Sequence, residues 1–369
     1  MPIRRASYER FIYTIQTTST LVEQSTLTII MRSSQGGVLR GQLRFRDDIV
    51  LDVSEVLNFR AGVIETYGYA VWQGDVLLYW YDSHPHPDDP LLAATHPHHK
   101  HIPPDIKRHR VLAPGLHFDE PNLRFLVREI EGVLVQVHLG QAREKVRMFL
   151  APYDGQVPDG HIEIDERLDE SALAVHRYPD SIVVRSADVP ESVIAHELVH
   201  VAQHTLEQFG GFHLLYVLLA EGLAEFVARS LYPEHVVKYA PGYEAVSLLV
   251  EVVPGVIGDL LRINDLPLTP ADAEGILTSS CLPPYTRRLL AKESDLIRSS
   301  VERAWEAGID DPTFVTLGEE LRAWKFLLDE RFGTIWSQLY AAIEPWFEVE
   351  GERGAPADGS TYDDGLRGA

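Results

Sequence analysis

Between residues 26 and 82 the chain alternates apolar and polar positions in short runs: TLTIIMRS, VLRGQLRFR, IVLDVSEVL, GVIETYGYAVW and VLLYWYD. The runs are separated by Gly36-Gly37, Asp47-Asp48, Arg60-Ala61-Gly62 and Gln73-Gly74. A period of two in residues that suit a pleated surface, broken by turn formers, predicts an antiparallel meander of about five strands. A helix over about 7–20 precedes the meander, and another is predicted from Glu120 past Ile130 with Pro121 in its first turn. Between meander and helix, YDSHPHPDDPLLAATHPHHKHIPPDIKRHR is too rich in Pro and His to predict regular structure. Beyond residue 137 the pattern resets, and EKVRMFLAP and SIVVRS read as strands.

After SIVVRS the period changes to that of a helix. In VPESVIAHELVHVAQH the apolar positions Val193, Ile194, Leu198, Val199 and Val201 accompany His196, Glu197 and His200, with Asp188, Pro190 and Glu191 as capping residues and Gly210-Gly211 as a stop. A second helix is predicted over Leu214 to Leu231, ahead of Pro233, and residues 243–347 read as mostly helical. The C-terminal GERGAPADGSTYDDGLRGA has the composition of a disordered tail. The fold class is α+β: an N-terminal antiparallel meander sheet with flanking helices (1–136), a mainly helical region with a small sheet (137–348), and a tail (349–369).

Charge supports two modules. The net −22 of the 369-residue chain falls entirely on residues 151–369, whereas residues 1–150 are balanced. The acidic part should repel nucleic acid; the neutral part can tolerate it. The single cysteine, Cys281, forms no internal disulfide and fits a reducing cytoplasm. No secretory signal is evident, and the most apolar segments, 214–231 and 246–261, are interrupted by acidic residues before the ~20 apolar positions of a membrane span.

His196 and His200, four apart on a helix, share one face and can bind one ion; Glu197, one step round, is placed to act as a base. A catalytic zinc needs a third protein ligand. Glu221 in LAEGLAEF follows His200 by the length of a helix end, a turn and part of an antiparallel helix. Glu225, one turn later, is a candidate to orient an imidazole, and His204 a candidate for a supporting or surface position. HELVHVAQH followed by LAEGLAEF resembles the gluzincin zinc metallopeptidases over about residues 145–260. The resemblance implies His196, His200 and Glu221 as zinc ligands and Glu197 as general base. Leu219 and Ala220 replace the Trp or Asn usual before the third ligand, which favours an endopeptidase or processing role over an aminopeptidase. Zinc would supply an acidified water whose proton Glu197 takes. Tyr243 is the candidate oxyanion donor, with Tyr239 and His213 as alternatives.

Half of the 16 histidines fall between His84 and His117. Asp82, His84, His98, His99, Lys100 and His101 in this loop suit metal binding, acid–base chemistry or a grip on phosphate; a packed His-Pro loop is the bland alternative. LRGQLRFRDDIVLDVSEVL, YGYAVW, LLYWYDSHPHPDD and THPHHKH resemble the TumE-like components of bacterial toxin–antitoxin systems. That resemblance implies a small toxin-like domain with RNA or an antitoxin as partner and these loop residues near its active surface. The combined expectation is a bacterial zinc metallopeptidase acting on a peptide or protein and fused to a TumE-like domain. Two alternatives stay open: a toxin-type ribonuclease with the HExxH module as a regulatory or degenerate scaffold, and a repressor-cleaving peptidase of the ImmA/IrrE kind.

Overall fold

The structure is a computed structural model that describes residues 3–17, 19–169, 172–177, 180–203, 214–253, 255–263, 268–282, 284–308, 312–329, 338–339 and 341–342. The chain divides into two compact units, Met1–Val135 and Gln136–Ala369. The expected turn at Gly210-Gly211, the candidates His204 and His213, and the tail 349–369 lie outside the described residues.

The first unit begins with α1 (Arg5–Thr14) and continues into an antiparallel sheet. Its strands are β1 (Val22–Ser25), β2 (Thr28–Met31), β3 (Gly36–Phe45), β4 (Ile49–Asn58), β5 (Val63–Gln73), β6 (Val76–Asp82), β7 (His99–His101) and β8 (Arg110–Leu112). The order is β1-β3-β4-β5-β6-β7-β8, with β2 also on β3. The meander is therefore present and larger than predicted. The His- and Pro-rich segment, read as irregular, contains a 3-10 turn (Pro90–Thr95) and two strands that extend the sheet. Each of these strands is three residues long, too short for a period to register.

Strand alternation defines the core face. In β4, Ile49, Leu51, Val53, Glu55 and Leu57 point inward, and the residues between them are less buried. Helix α2 (Leu123–Leu150) corrects a second expectation: EKVRMFLAP is helical. Leu134, Val135, Leu139, Ala142, Val146 and Leu150 are buried at spacings near three and four, the period of a helix face and not of a strand.

In the second unit β9 (His161–Ile164), β10 (Ala174–Arg177) and β11 (Ser181–Val184) form a small sheet in the order β10-β11-β9. Helices α3 (Glu191–Gln203), α4 (Leu214–Leu231), α5 (Ala240–Val252), α6 (Val256–Leu261), α7 (Pro270–Leu277), α8 (Pro284–Ala307) and α9 (Pro312–Leu328) follow. The helix predicted to carry HELVH is α3, and the one predicted over 214–231 is α4 with those bounds. Among the described residues, no helix is long and apolar enough to cross a membrane.

One carboxyl occupies the core face of the large sheet. Glu55 is fully buried and accepts hydrogen bonds from the hydroxyls of Tyr8 on α1 and Tyr69 on β5, the latter at 2.7 Å. Asn122 donates to the Tyr69 hydroxyl at 3.0 Å, extending the chain of bonds. Burial pushes the Glu55 carboxyl up from 4.5 to about 7, and the two tyrosine bonds only partly offset that rise. A carboxyl that holds its proton more tightly when folded stabilises the fold below the unfolded value. That contribution is lost as pH rises through the folded one, and the shift corresponds to about 3 kcal/mol. Urea unfolding between pH 4.5 and 7 should therefore show the parent losing up to that amount relative to Glu55→Gln, whose amide does not ionise. Parallel pH profiles for the two proteins would contradict this role.

Candidate metal centre and histidine loop

Helix α3 is buried along most of its length: every residue from Ile194 to Gln203 lies inside the second unit. The HELVH segment is therefore not a solvated helix face. α3 packs against α4, and their pairing brings His196, His200 and Glu221 together. The two Nε2 atoms are 3.1 Å apart, and Glu221 Oε2 lies 3.2 Å from His196 Nε2 and 3.4 Å from His200 Nε2. Ligands ~2.0–2.1 Å from a zinc ion at tetrahedral angles lie about 3.3 Å from one another, so these three edges fit one face of a zinc tetrahedron. Glu221 Oε2 is buried and accepts no hydrogen bond among the described residues.

The residues around the triangle fix its orientation. Gln203, one turn beyond His200, places Oε1 2.8 Å from His200 Nδ1 and donates through Nε2 to the Ala220 carbonyl at 3.2 Å. The Ala220 bond identifies which end of the amide is nitrogen. Oε1 must then accept from His200, which places a ring hydrogen on Nδ1 and turns Nε2 toward the centre. The same side chain ties α3 to the residue preceding Glu221. On the other side of α4, α5 crosses at glycines: a Cβ on Gly222 would lie 2.3 Å from the Gly242 carbonyl oxygen, and one on Gly242 2.5 Å from the Leu218 carbonyl oxygen. The glycine after Glu221 is required by backbone contact.

Electrostatics follow the geometry. Burial alone would lower His200, but Glu221 and Glu197 outweigh it and push the imidazole up to about 9. Burial would raise Glu221, yet His200 and His196 hold its carboxyl well below the usual range.

Glu197 accepts from the backbone N–H of His176 on β10 at 2.8 Å, so the small sheet positions it. Glu225 is placed differently from Glu221. Its Oε2 accepts from His235 Nε2 at 2.8 Å and its Oε1 from the N–H groups of Lys238 and Tyr239 at 2.9 and 3.2 Å. Glu225 thus orients an imidazole, that of His235, whose ring centre is 6.3 Å from that of His196. His196, Glu225 and His235 form a second potential ligand set, which shares His196 with the first. The Tyr239 ring lies 6.4 Å from the His196 ring and nearly parallel to it, whereas Tyr243 packs on Phe226. Gln203 was legible in the sequence, three residues from His200 on one helix. His235, four residues past the end of α4, carries no spacing signal.

In the first unit the loop residues separate. His99 and His101 converge on Asp82. Lys100, between them on β7, points to the opposite face, 2.8 Å from Glu129 and 3.7 Å from the centre of the Tyr79 ring. The expectation that Lys100 grips phosphate beside the histidines is corrected accordingly. His98 Nδ1 lies 2.7 Å from the Tyr67 hydroxyl, with its ring against Phe118. His84 stands beside His86, which in turn contacts His99.

The family model described as Toxin TumE matches residues 10–134. The N-terminal part of the chain is similar to the TumE toxin family. The TumE-like match stops short of the HELVH segment, so the second unit stands on its own geometry. No curated protein and no solved structure matches the chain.

Removing the Gln203 acceptor should loosen the centre without unfolding the helices. Gln203→Ala should weaken zinc affinity roughly 10–100-fold in competition with a chelator. Gln203→Glu, which keeps an acceptor for His200 Nδ1, should recover most of it. Equal affinity in the parent and Gln203→Ala would remove Gln203 from this role.

Proposed function

We propose that the second unit is a zinc-dependent peptidase, attached to a TumE-like domain. The observation that carries the reading is the triangle of His196 Nε2, His200 Nε2 and Glu221 Oε2, with edges of 3.1–3.4 Å, beside a separately held Glu197. Zinc, when bound by these three side chains, supplies Lewis acidity and an acidified water.

The chain's own residues account for the rest. Glu197 takes the proton of the attacking water and passes it to the leaving amine. Gln203 fixes the His200 tautomer. Tyr239 is better placed than Tyr243 to donate to a developing oxyanion, since its ring borders His196 and is partly exposed. Among the described residues β10 is an edge strand, and its His176 reaches the base. An extended peptide laid along β10 would therefore present its backbone to Glu197, which supports a peptide or protein as substrate.

The TumE likeness favours a second reading for the first unit: a toxin-type activity on RNA, or an antitoxin-binding surface, with the HExxH unit as a regulator. The two readings predict different effects of one substitution. Glu197→Gln retains an acceptor for the His176 N–H, so the fold and bound zinc should persist while hydrolysis of quenched fluorescent peptides falls by at least about 100-fold. Peptide hydrolysis undiminished in Glu197→Gln, or absent from the zinc-loaded parent across a diverse peptide library, would defeat the peptidase reading.

A further inference from the structure

Asp82, His99 and His101 lie in the TumE-like unit, outside everything the peptidase reading uses. Pairing of β6 with β7 sets Asp82 opposite His99 and Trp80 opposite His101, so the four side chains share one face of the sheet. Lys100 and Tyr81, the pair between them, occupy the other. His99 Nε2 and His101 Nε2 are 3.0 Å apart. Asp82 Oδ1 lies 3.2 Å from the first and Asp82 Oδ2 3.4 Å from the second.

The bonds behind these atoms determine what they present to one another. His99 Nδ1 is 3.0 Å from the Pro97 carbonyl oxygen, and His101 Nδ1 is 2.9 Å from that of Ile106. A carbonyl oxygen only accepts, so each neutral ring carries its hydrogen on Nδ1 and turns an Nε2 lone pair toward its partner. Asp82 is held by the Trp80 indole N–H at 3.2 Å and the His84 backbone N–H at 2.8 Å. Two imidazole lone pairs and a carboxylate thus face a common point, each anchored from behind by a group that fixes its direction. This is the supporting shell that orients metal ligands. The rings are 1% and 3% exposed, which makes such a concentration of acceptors costly to bury without a cation.

We infer that Asp82, His99 and His101 hold a divalent cation of the zinc class. Two imidazoles and one carboxylate suit zinc and its first-row neighbours better than calcium or magnesium, which prefer all-oxygen sites. The two Nε2 atoms lie 3.0 Å apart, and Asp82 meets them with one oxygen each, at 3.2 and 3.4 Å, so its carboxylate can turn either oxygen, or both, to a shared ion. Asp82 also borders a hollow of about 230 Å³ on this face of the sheet, lined by Asp52, Ser54, Gly68, Ala70 and Trp80. A Cβ at Gly68 would meet nothing within 4 Å. An ion held by three side chains next to an open hollow keeps a position for an exogenous ligand, as catalytic sites do.

The test counts zinc on the full-length chain, with the centre of the second unit removed by His196→Gln and His200→Gln. After chelator stripping and reconstitution with Zn²⁺, this background protein should retain about one equivalent and melt at a higher temperature with zinc than without. Adding Asp82→Asn, which preserves the size of a partly exposed side chain and so the fold, should abolish both effects. A cobalt-substituted background protein should show visible absorption that the Asp82→Asn protein lacks. Absence of zinc from the background protein would overturn the inference and leave Asp82, His99 and His101 as a hydrogen-bonded pair of rings and a carboxylate. Zinc retained unchanged after Asp82→Asn would do the same by placing the ion elsewhere.

Discussion

Three side-chain atoms, His196 Nε2, His200 Nε2 and Glu221 Oε2, stand within 3.4 Å of one another inside the second unit. Burial denies them water, so they have to share a proton or a cation among themselves. Much of the surrounding structure reads as a response to that constraint. Gln203 directs the His200 hydrogen away from the centre, and the close backbone crossing of α4 and α5 at Gly222 and Gly242 keeps the segment behind Glu221 from shifting. Glu225 engages both oxygens with His235 and the segment after α4, whereas Glu221 Oε2 accepts no hydrogen bond among the described residues.

The same chemical grouping recurs in the first unit on a different scaffold. In α3 the two imidazoles are four residues apart, one helical turn; in β7 they are two apart, the next position on the same face of a strand. Both arrangements put Nε2 atoms about 3 Å apart, at 3.1 and 3.0 Å, and both bring up a carboxylate from a neighbouring element, through one oxygen of Glu221 and through both oxygens of Asp82. The difference lies in the supports. Side-chain amide and helix packing serve the helical site, whereas backbone carbonyls of a proline-rich loop serve the strand site. Carbonyls at Pro97 and Ile106 hold the two buried histidines of β7 in place within a segment poor in apolar residues.

The sequence made the helical site legible because its period is local. His196, His200 and Glu221 lie on two helices whose apolar faces are strong, and one short gap joins them. The strand site was legible only as a concentration of histidines. Which of them converge depends on the register of β6 with β7, which no local pattern encodes, and on strand alternation, which sends Lys100 to Glu129. The missed helical character of residues 144–150 has the opposite cause. Val146 and Leu150 continue a buried stripe that begins at Leu123, and the stripe is visible only when the segment is read together with the residues before it. His235 was silent in the sequence because the segment that carries it is positioned by hydrogen bonds it donates to Glu225, not by periodicity.

Anomalous diffraction at the zinc edge from crystals of the zinc-loaded chain addresses the central claim most directly. The account predicts a peak bonded to His196 Nε2, His200 Nε2 and Glu221 at ~2.0–2.1 Å, with Glu197 outside the coordination sphere and still accepting from the His176 N–H. A peak ligated by Glu197, or by Glu225 and His235 in place of His200 and Glu221, would contradict it, as would the absence of any peak between α3 and α4.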